Sequence, residues 1–189
     1  MTDAALRYAV YEDLFDLPEN LVGEILNGVL ETHPRPAPGH ARASSSLGGL
    51  VVTPFDHGKN GPGGWWILDE PELHLEADIM VPDLAGWKRE RMPTLPKTAW
   101  FECAPDWICE VLSPATGRTD RAIKMPLYAH YGVKHLWLID PDLKTLEAYE
   151  LQQTGSGNRW LLLATLHGDQ PVSLPPFDAI EFDLSILWG

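Results

Sequence analysis

Residues 106–124 read DWICEVLSPATGRTDRAIK, and the order of textures in that stretch restricts the folds open to the chain. An apolar run, WICEVL, carries a single carboxylate, Glu110. A polar turn with Pro114 and Gly117 comes next. Residues 119–131 then set Ile123, Leu127, Tyr128 and Tyr131 at helical spacing, and a second continuous apolar run, HLWLID, follows. Short apolar runs bounded by turn signals read as buried strands, and the 3.6-residue period between them reads as a helix. Thr119 is a candidate N-cap, and Pro126 is expected to bend the helix because it lacks an N–H. The pattern calls for a mixed α/β fold.

The remaining segments extend that picture. VGEILNGVLETH gives the strongest hairpin signal, two apolar-rich arms around Asn27-Gly28, the pair that type I′ turns favour. In the first arm Glu24 and Leu26 share one face and Ile25 takes the other. Residues 10–17 predict a short helix stopped before Pro18, and residues 41–55 a closely packed helix. Strands are expected at WWILD, ELHLE, DIMVPDLAGW, WICEVLS, HLWLID, TLEAYEL and RWLLLATL. KRERMPTLPKTAW reads as a charged surface loop and FDLSILWG as a closing helix. With no repeat, low-complexity tract or linker, residues 1–189 read as a single domain.

Composition narrows the function classes. Apolar residues make up 44 % and charged residues 22 %, ordinary globular usage that excludes wholesale disorder. No apolar run approaches the roughly 18 residues of a membrane span. MTDAALRYAVYEDLF lacks the basic and apolar blocks of a signal peptide. Cys103 and Cys109 form neither a CxxC site nor a disulfide framework. They read as reduced thiols in a cytoplasmic protein, and zinc is disfavoured. The net charge is −13 at pH 7, whereas nucleic-acid binders usually carry a basic footprint. A nucleic-acid role therefore needs local basic residues and bound cations. Lys88, Arg89 and Arg91, with Lys97 after them, form the only positive run; a solvated loop is the commoner meaning of such a run, and contact with a DNA backbone is the other.

Three acidic residues interrupt apolar strand candidates: Glu24, Asp83 and Glu110. A carboxylate is expensive to bury unless it is paired or coordinated. Three of them on segments able to lie side by side make a hard-cation site, with oxygen ligands suited to Mg2+ or Mn2+. Lys124 then supplies an ammonium able to orient water or stabilise a phosphorane-like transition state. Each residue also has a plainer reading. Glu110 alone serves to cap the turn before Ser113, Asp83 sits before a turn with Asp78 as a rival, and Glu24 beside the hairpin turn is more often an exposed strand residue. Lys124 with Asp120 at i, i+4 is most simply a helix-surface ion pair. His40 in PGH has a functional reading, contact with phosphate or help in proton transfer, and a commoner one, a solvated loop histidine. Of the eight tryptophans, Trp107 and Trp137 belong to buried strands, while Trp65, Trp66 and Trp87 are candidates for lining a groove or a subunit contact.

The residues that carry the chemistry also carry a resemblance. VPD at 81–83, PDWICEVLSP at 105–114 and TDRAIKMPLYAHYGVKHLWLIDP at 119–141 resemble the Uma-type restriction endonuclease family, within the PD-(D/E)XK nuclease superfamily. VGEILNGVLE and the PGH at 38–40 fit its pattern as well, so the likeness spans nearly the whole chain. The resemblance implies a restriction-endonuclease-like α/β fold, with a four- or five-stranded mixed central sheet flanked by helices and an N-terminal β-hairpin. It also implies a Mg2+- or Mn2+-dependent endonuclease acting on DNA, and a homodimer. Asp83 matches the PD aspartate, Glu110 the first residue of the (D/E)XK element and Glu24 the early glutamate; these three would hold the metal. The lysine slot two residues after Glu110 is Leu112, and Lys124 on the next helix takes its place. The competing expectation is a catalytically inactive nuclease-fold scaffold acting as a dimeric interaction protein, favoured by the acidic balance and by Leu112. A metal-free, two-carboxylate glycoside hydrolase is a third and weaker reading.

Overall fold

The computed structural model describes residues 7–155 and 157–189. Two sheets organise it. The larger has six strands in the order β10-β9-β8-β7-β6-β3, and the smaller has four in the order β2-β1-β5-β4. β1 (Leu21–Leu26) and β2 (Val29–Pro34) form the N-terminal hairpin, paired from Leu21↔Pro34 to Leu26↔Val29. Its turn is the expected Asn27-Gly28, with φ of 53° and 76°, the left-handed geometry that this pair tolerates. β4 (Leu73–Leu75) and β5 (Asp78–Met80) complete the small sheet, and β1 meets β5 at Ile25↔Ile79.

In the large sheet β6 (Leu84–Lys88) pairs antiparallel with both β3 (Trp65–Asp69) and β7 (Trp107–Val111). β7 and β8 (His135–Asp140) are parallel, and β9 (Thr145–Thr154) and β10 (Gly157–His167) extend the sheet as a long hairpin. The mixed sheet is thus present, with six strands instead of four or five. The expected strand DIMVPDLAGW is in fact two. Pro82 has no N–H for a ladder, and the chain leaves the small sheet after Met80 and joins the large one at Leu84. That crossing of three residues carries Asp83 from one sheet to the other.

Helices cover both faces of the large sheet. α1 (Pro38–Val51) sets Ala43, Leu47 and Val51 four residues apart on one stripe, against Trp107, Cys109, Val111, Trp137 and Ile139. On the opposite face a continuous helical stretch comprises α2 (Gly117–Thr119), a wide π-type turn (Asp120–Lys124) and α3 (Met125–His130). Leu127 and Tyr128 pack there on Ile108, Leu112, Leu136 and Leu138. Pro126 follows the wide turn, and a second wide turn at Val52–Asp56 contains Pro54. The helices accommodate proline by widening from i→i+4 to i→i+5 bonding. Thr119 lies inside the helical stretch, and Ser113 Oγ accepts the Thr116 N–H at 3.2 Å where the turn begins. The terminal helices expected at 10–17 and in FDLSILWG are single 3-10 turns, Tyr11–Leu14 and Leu184–Leu187.

Trp65, Trp66 and Trp87 are taken up by the fold, and the two arginines of the exposed basic loop are tied back to it. Trp107, Trp137 and Trp87 are fully buried and Trp65 nearly so. Trp66 donates its indole N–H to the Met92 carbonyl and carries the Arg89 guanidinium 3.8 Å from its ring centre. Arg89 bonds the Asp56 carboxylate and the Trp65 carbonyl, while Arg91 bonds Asp106 and the Ala104 carbonyl. The two arginines offered for a DNA backbone therefore anchor their own loop to the sheet.

Candidate active site

The period-two alternation of β7 explains the carboxylate in its midst. Trp107, Cys109 and Val111 face α1, so Ile108 and Glu110 face the opposite helical stretch. Leu112, on that same side, is buried in the apolar cluster with Leu127 and Tyr128. An ammonium for Glu110 has to come from the helix that covers this face, and it does. Lys124 Nζ lies 2.8 Å from Glu110 Oε1 and 3.0 Å from Glu24 Oε1, with the Val81 carbonyl at 3.4 Å. All three ionic side chains are at most 4 % exposed.

The four residues singled out from the sequence are brought together. Glu24 reaches in from β1 and also accepts the Val81 N–H at 2.7 Å. Asp83, in the crossing between the sheets, accepts the N–H of Val111, the residue next to Glu110, at 2.7 Å. A cleft of about 260 Å³ is lined by Asp83, Glu110, Asp120, Lys124 and His40. Asp78, the rival to Asp83, is elsewhere: its two oxygens accept the Asn27 N–H and the Tyr131 O–H, bracing the hairpin turn.

Three further participants join them. His40 stands in the first turn of α1 instead of a solvated loop; its Nε2 is 3.2 Å from Asp83 Oδ1, and its Nδ1 is buried. Burial works against its charged form, but the Asp83 carboxylate beside it prevails and lifts its pKa above the ordinary histidine value. Asp120 is buried and 3.9 Å from Lys124 Nζ, so this pair is an interior one and not a surface bridge. Tyr128, one turn beyond Lys124, donates its O–H to Glu110 Oε1 at 2.5 Å. The i, i+4 spacing of Asp120, Lys124 and Tyr128 was the available signal; what it lacked was the partner on the far strand.

The electrostatics of the cluster are lopsided. Glu24, Asp83, Glu110 and Asp120 are gathered around one ammonium and one histidine. Burial pushes the Glu110 carboxyl well up; Lys124 opposes this, while Asp120, Asp83 and Glu24 add to it. Asp120 is raised for the same first reason, burial. Burial disfavours the Lys124 ammonium, but Glu110 and Glu24 outweigh it and hold its pKa well above the lysine norm. Among the described residues no three His, Cys, Asp or Glu side chains are disposed as a ready-made metal cage. The donor chemistry nevertheless fits a hard divalent cation: carboxylate oxygens in excess of local positive charge, each with a lone pair left after its hydrogen bond.

A mixed sheet sandwiched by helices thus carries an acid–amine cluster at the end of its central strands. A solved structure of the same architecture is described as a "putative nuclease belonging to DUF820" from Anabaena variabilis; it superposes with a TM-score of 0.70, is 22 % identical, and the match covers 94 % of this chain and 96 % of that one. Residues 11–186 match the model of the family described as "Uma2: Putative restriction endonuclease", and the chain belongs to that family. Among curated proteins there is no match.

Proposed function

We propose that the cleft hydrolyses DNA phosphodiester bonds as a Mg2+- or Mn2+-dependent endonuclease of the cytoplasm. The observation that carries this reading is Lys124: it fills from the helix the place left by Leu112 and joins carboxylates from both sheets beside Asp83. Asp83 and Glu110 would hold the cation, with Glu24 assisting. When bound, the cation would supply charge neutralisation at the scissile phosphate, which an acidic protein needs before a polyanion can enter. Lys124 positions the attacking water and meets the negative charge that builds on the phosphoryl oxygens. Glu24 keeps the ammonium turned toward the cleft, and His40 orients Asp83. Membership of a restriction endonuclease family supports DNA as the substrate class.

The test is nicking of supercoiled plasmid in Mg2+, in Mn2+ and after EDTA treatment. Asp83→Ala and Glu110→Gln should each lower the rate about 100-fold or more with folding retained. Cleavage that persists in chelator overturns the reading. Tight Mg2+ binding without cleavage of any DNA or RNA would instead establish the inactive scaffold.

A further inference from the structure

We propose that Tyr128 is a positioning residue that fixes the plane of the Glu110 carboxylate, so that one of its oxygens is always presented to the cleft; the inference rests on the metal-dependent reading above. Glu110 Oε1 receives two donors, the Tyr128 O–H at 2.5 Å and the Lys124 ammonium at 2.8 Å. Among the described residues Oε2 receives none, and the side chain, otherwise buried, lines the cleft. A half-turn of the carboxyl group about its last bond merely exchanges two equivalent oxygens, but any smaller rotation carries the bonded oxygen away from both donors. It would also strand the tyrosine O–H in an apolar cluster, where such a group needs a partner. Tyr128 is fully buried and packed among leucines, and β7 is held between β6 and β8. Donor and acceptor are therefore both anchored. Lys124 alone does not achieve this, because its ammonium is shared with Glu24.

The consequence is a carboxylate with one satisfied oxygen and one oxygen offered outward. Outer hydrogen bonds of this kind set the orientation and basicity of a ligating group, and their removal typically costs 10–100-fold in metal affinity.

The experiment is calorimetric titration of the full chain with MnCl2 alone, without DNA. Tyr128→Phe should weaken Mn2+ binding about 10-fold. Tyr131→Phe is the control, since it removes a 2.5 Å tyrosine–carboxylate bond of the same kind, to Asp78, outside the cleft; it should leave Mn2+ affinity unchanged. A second measurement needs no variant. With tyrosine Cζ labelled by 13C, Mg2+ should shift the Tyr128 resonance of the wild-type chain and leave that of Tyr131 in place. Equal Mn2+ affinity in folded Tyr128→Phe, or an unmoved Tyr128 resonance in a chain that binds Mg2+, overturns the assignment alone. A wild-type chain that takes up neither cation overturns it together with the metal-dependent reading.

Discussion

Lys124 is the residue on which the interior of this molecule turns. A helix-surface pair at i, i+4 is worth a few tenths of a kcal/mol, but the ammonium here is buried between Glu24 and Glu110. Removing one partner from a buried ionic group leaves charge uncompensated and costs about 3–5 kcal/mol. Lys124→Met should therefore lose roughly that amount in urea unfolding; a loss below about 1 kcal/mol would return the residue to the surface-pair class. The sequence made Glu24, Asp83, Glu110 and Lys124 visible because charges inside apolar runs are conspicuous. It showed His40 and Asp120 without their surroundings, and it hid Tyr128. Nothing in PGH reveals that helix α1 carries the histidine against Asp83, and a tyrosine at helical spacing looks like core until the facing strand is known to hold a carboxylate.

Among the elements, the hairpin, the central strands and the helix after Glu110 follow from turn chemistry and periodicity. The wide turns do not, because proline announces a disturbance without saying whether the helix kinks, ends or widens. Pro82 was equally ambiguous inside DIMVPDLAGW, where apolar content suggested one strand and the missing N–H decided for two. The turn Asp120–Lys124 is braced from outside by Arg121, whose guanidinium forms paired bonds of 2.9 and 2.8 Å to Glu147 on β9. Tyr149 donates to the same carboxylate. The Arg121 bonds, first among the causes, hold the Glu147 carboxyl below its ordinary 4.5. A depressed carboxyl stabilises the fold above its unfolded value, and the gain disappears as pH falls through the lower folded value. Glu147→Gln should thus be less stable than wild type at pH 7, by about 1 kcal/mol or less for so exposed a pair. The gap in melting temperature should close progressively below pH 4.5. A gap independent of pH would assign the difference to packing.

At the scale of the whole molecule, a charge of −13 and a nuclease family sit together only if nucleic acid is met by few cations of the protein's own. Arg89 and Arg91 are committed to Asp56 and Asp106. Each phosphate neutralised by protein steepens the dependence of log affinity on log salt by about 0.9. Fluorescence anisotropy in Mg2+ across a KCl series should give a shallow slope of about −1 to −2. Arg91→Ala should leave that slope unchanged while costing about 1–3 kcal/mol of stability, since Asp106 loses its guanidinium. A steep slope that flattens in this variant would restore the loop as a DNA contact. Among the described residues no helix is long and apolar enough to cross a membrane.

The crossing at residues 81–83 ties the two sheets covalently, and the Glu24–Lys124–Glu110 contacts tie them again a few ångströms away. The cluster is a rivet as well as the proposed reaction centre. The sheets cannot swing apart like jaws without drawing that rivet, so the proposed duplex substrate would be received at the rim, with only its scissile phosphate brought inward. Occupancy by a cation should then stiffen the seam between the sheets, and amide exchange in β1 and β7 should slow together when the metal is added.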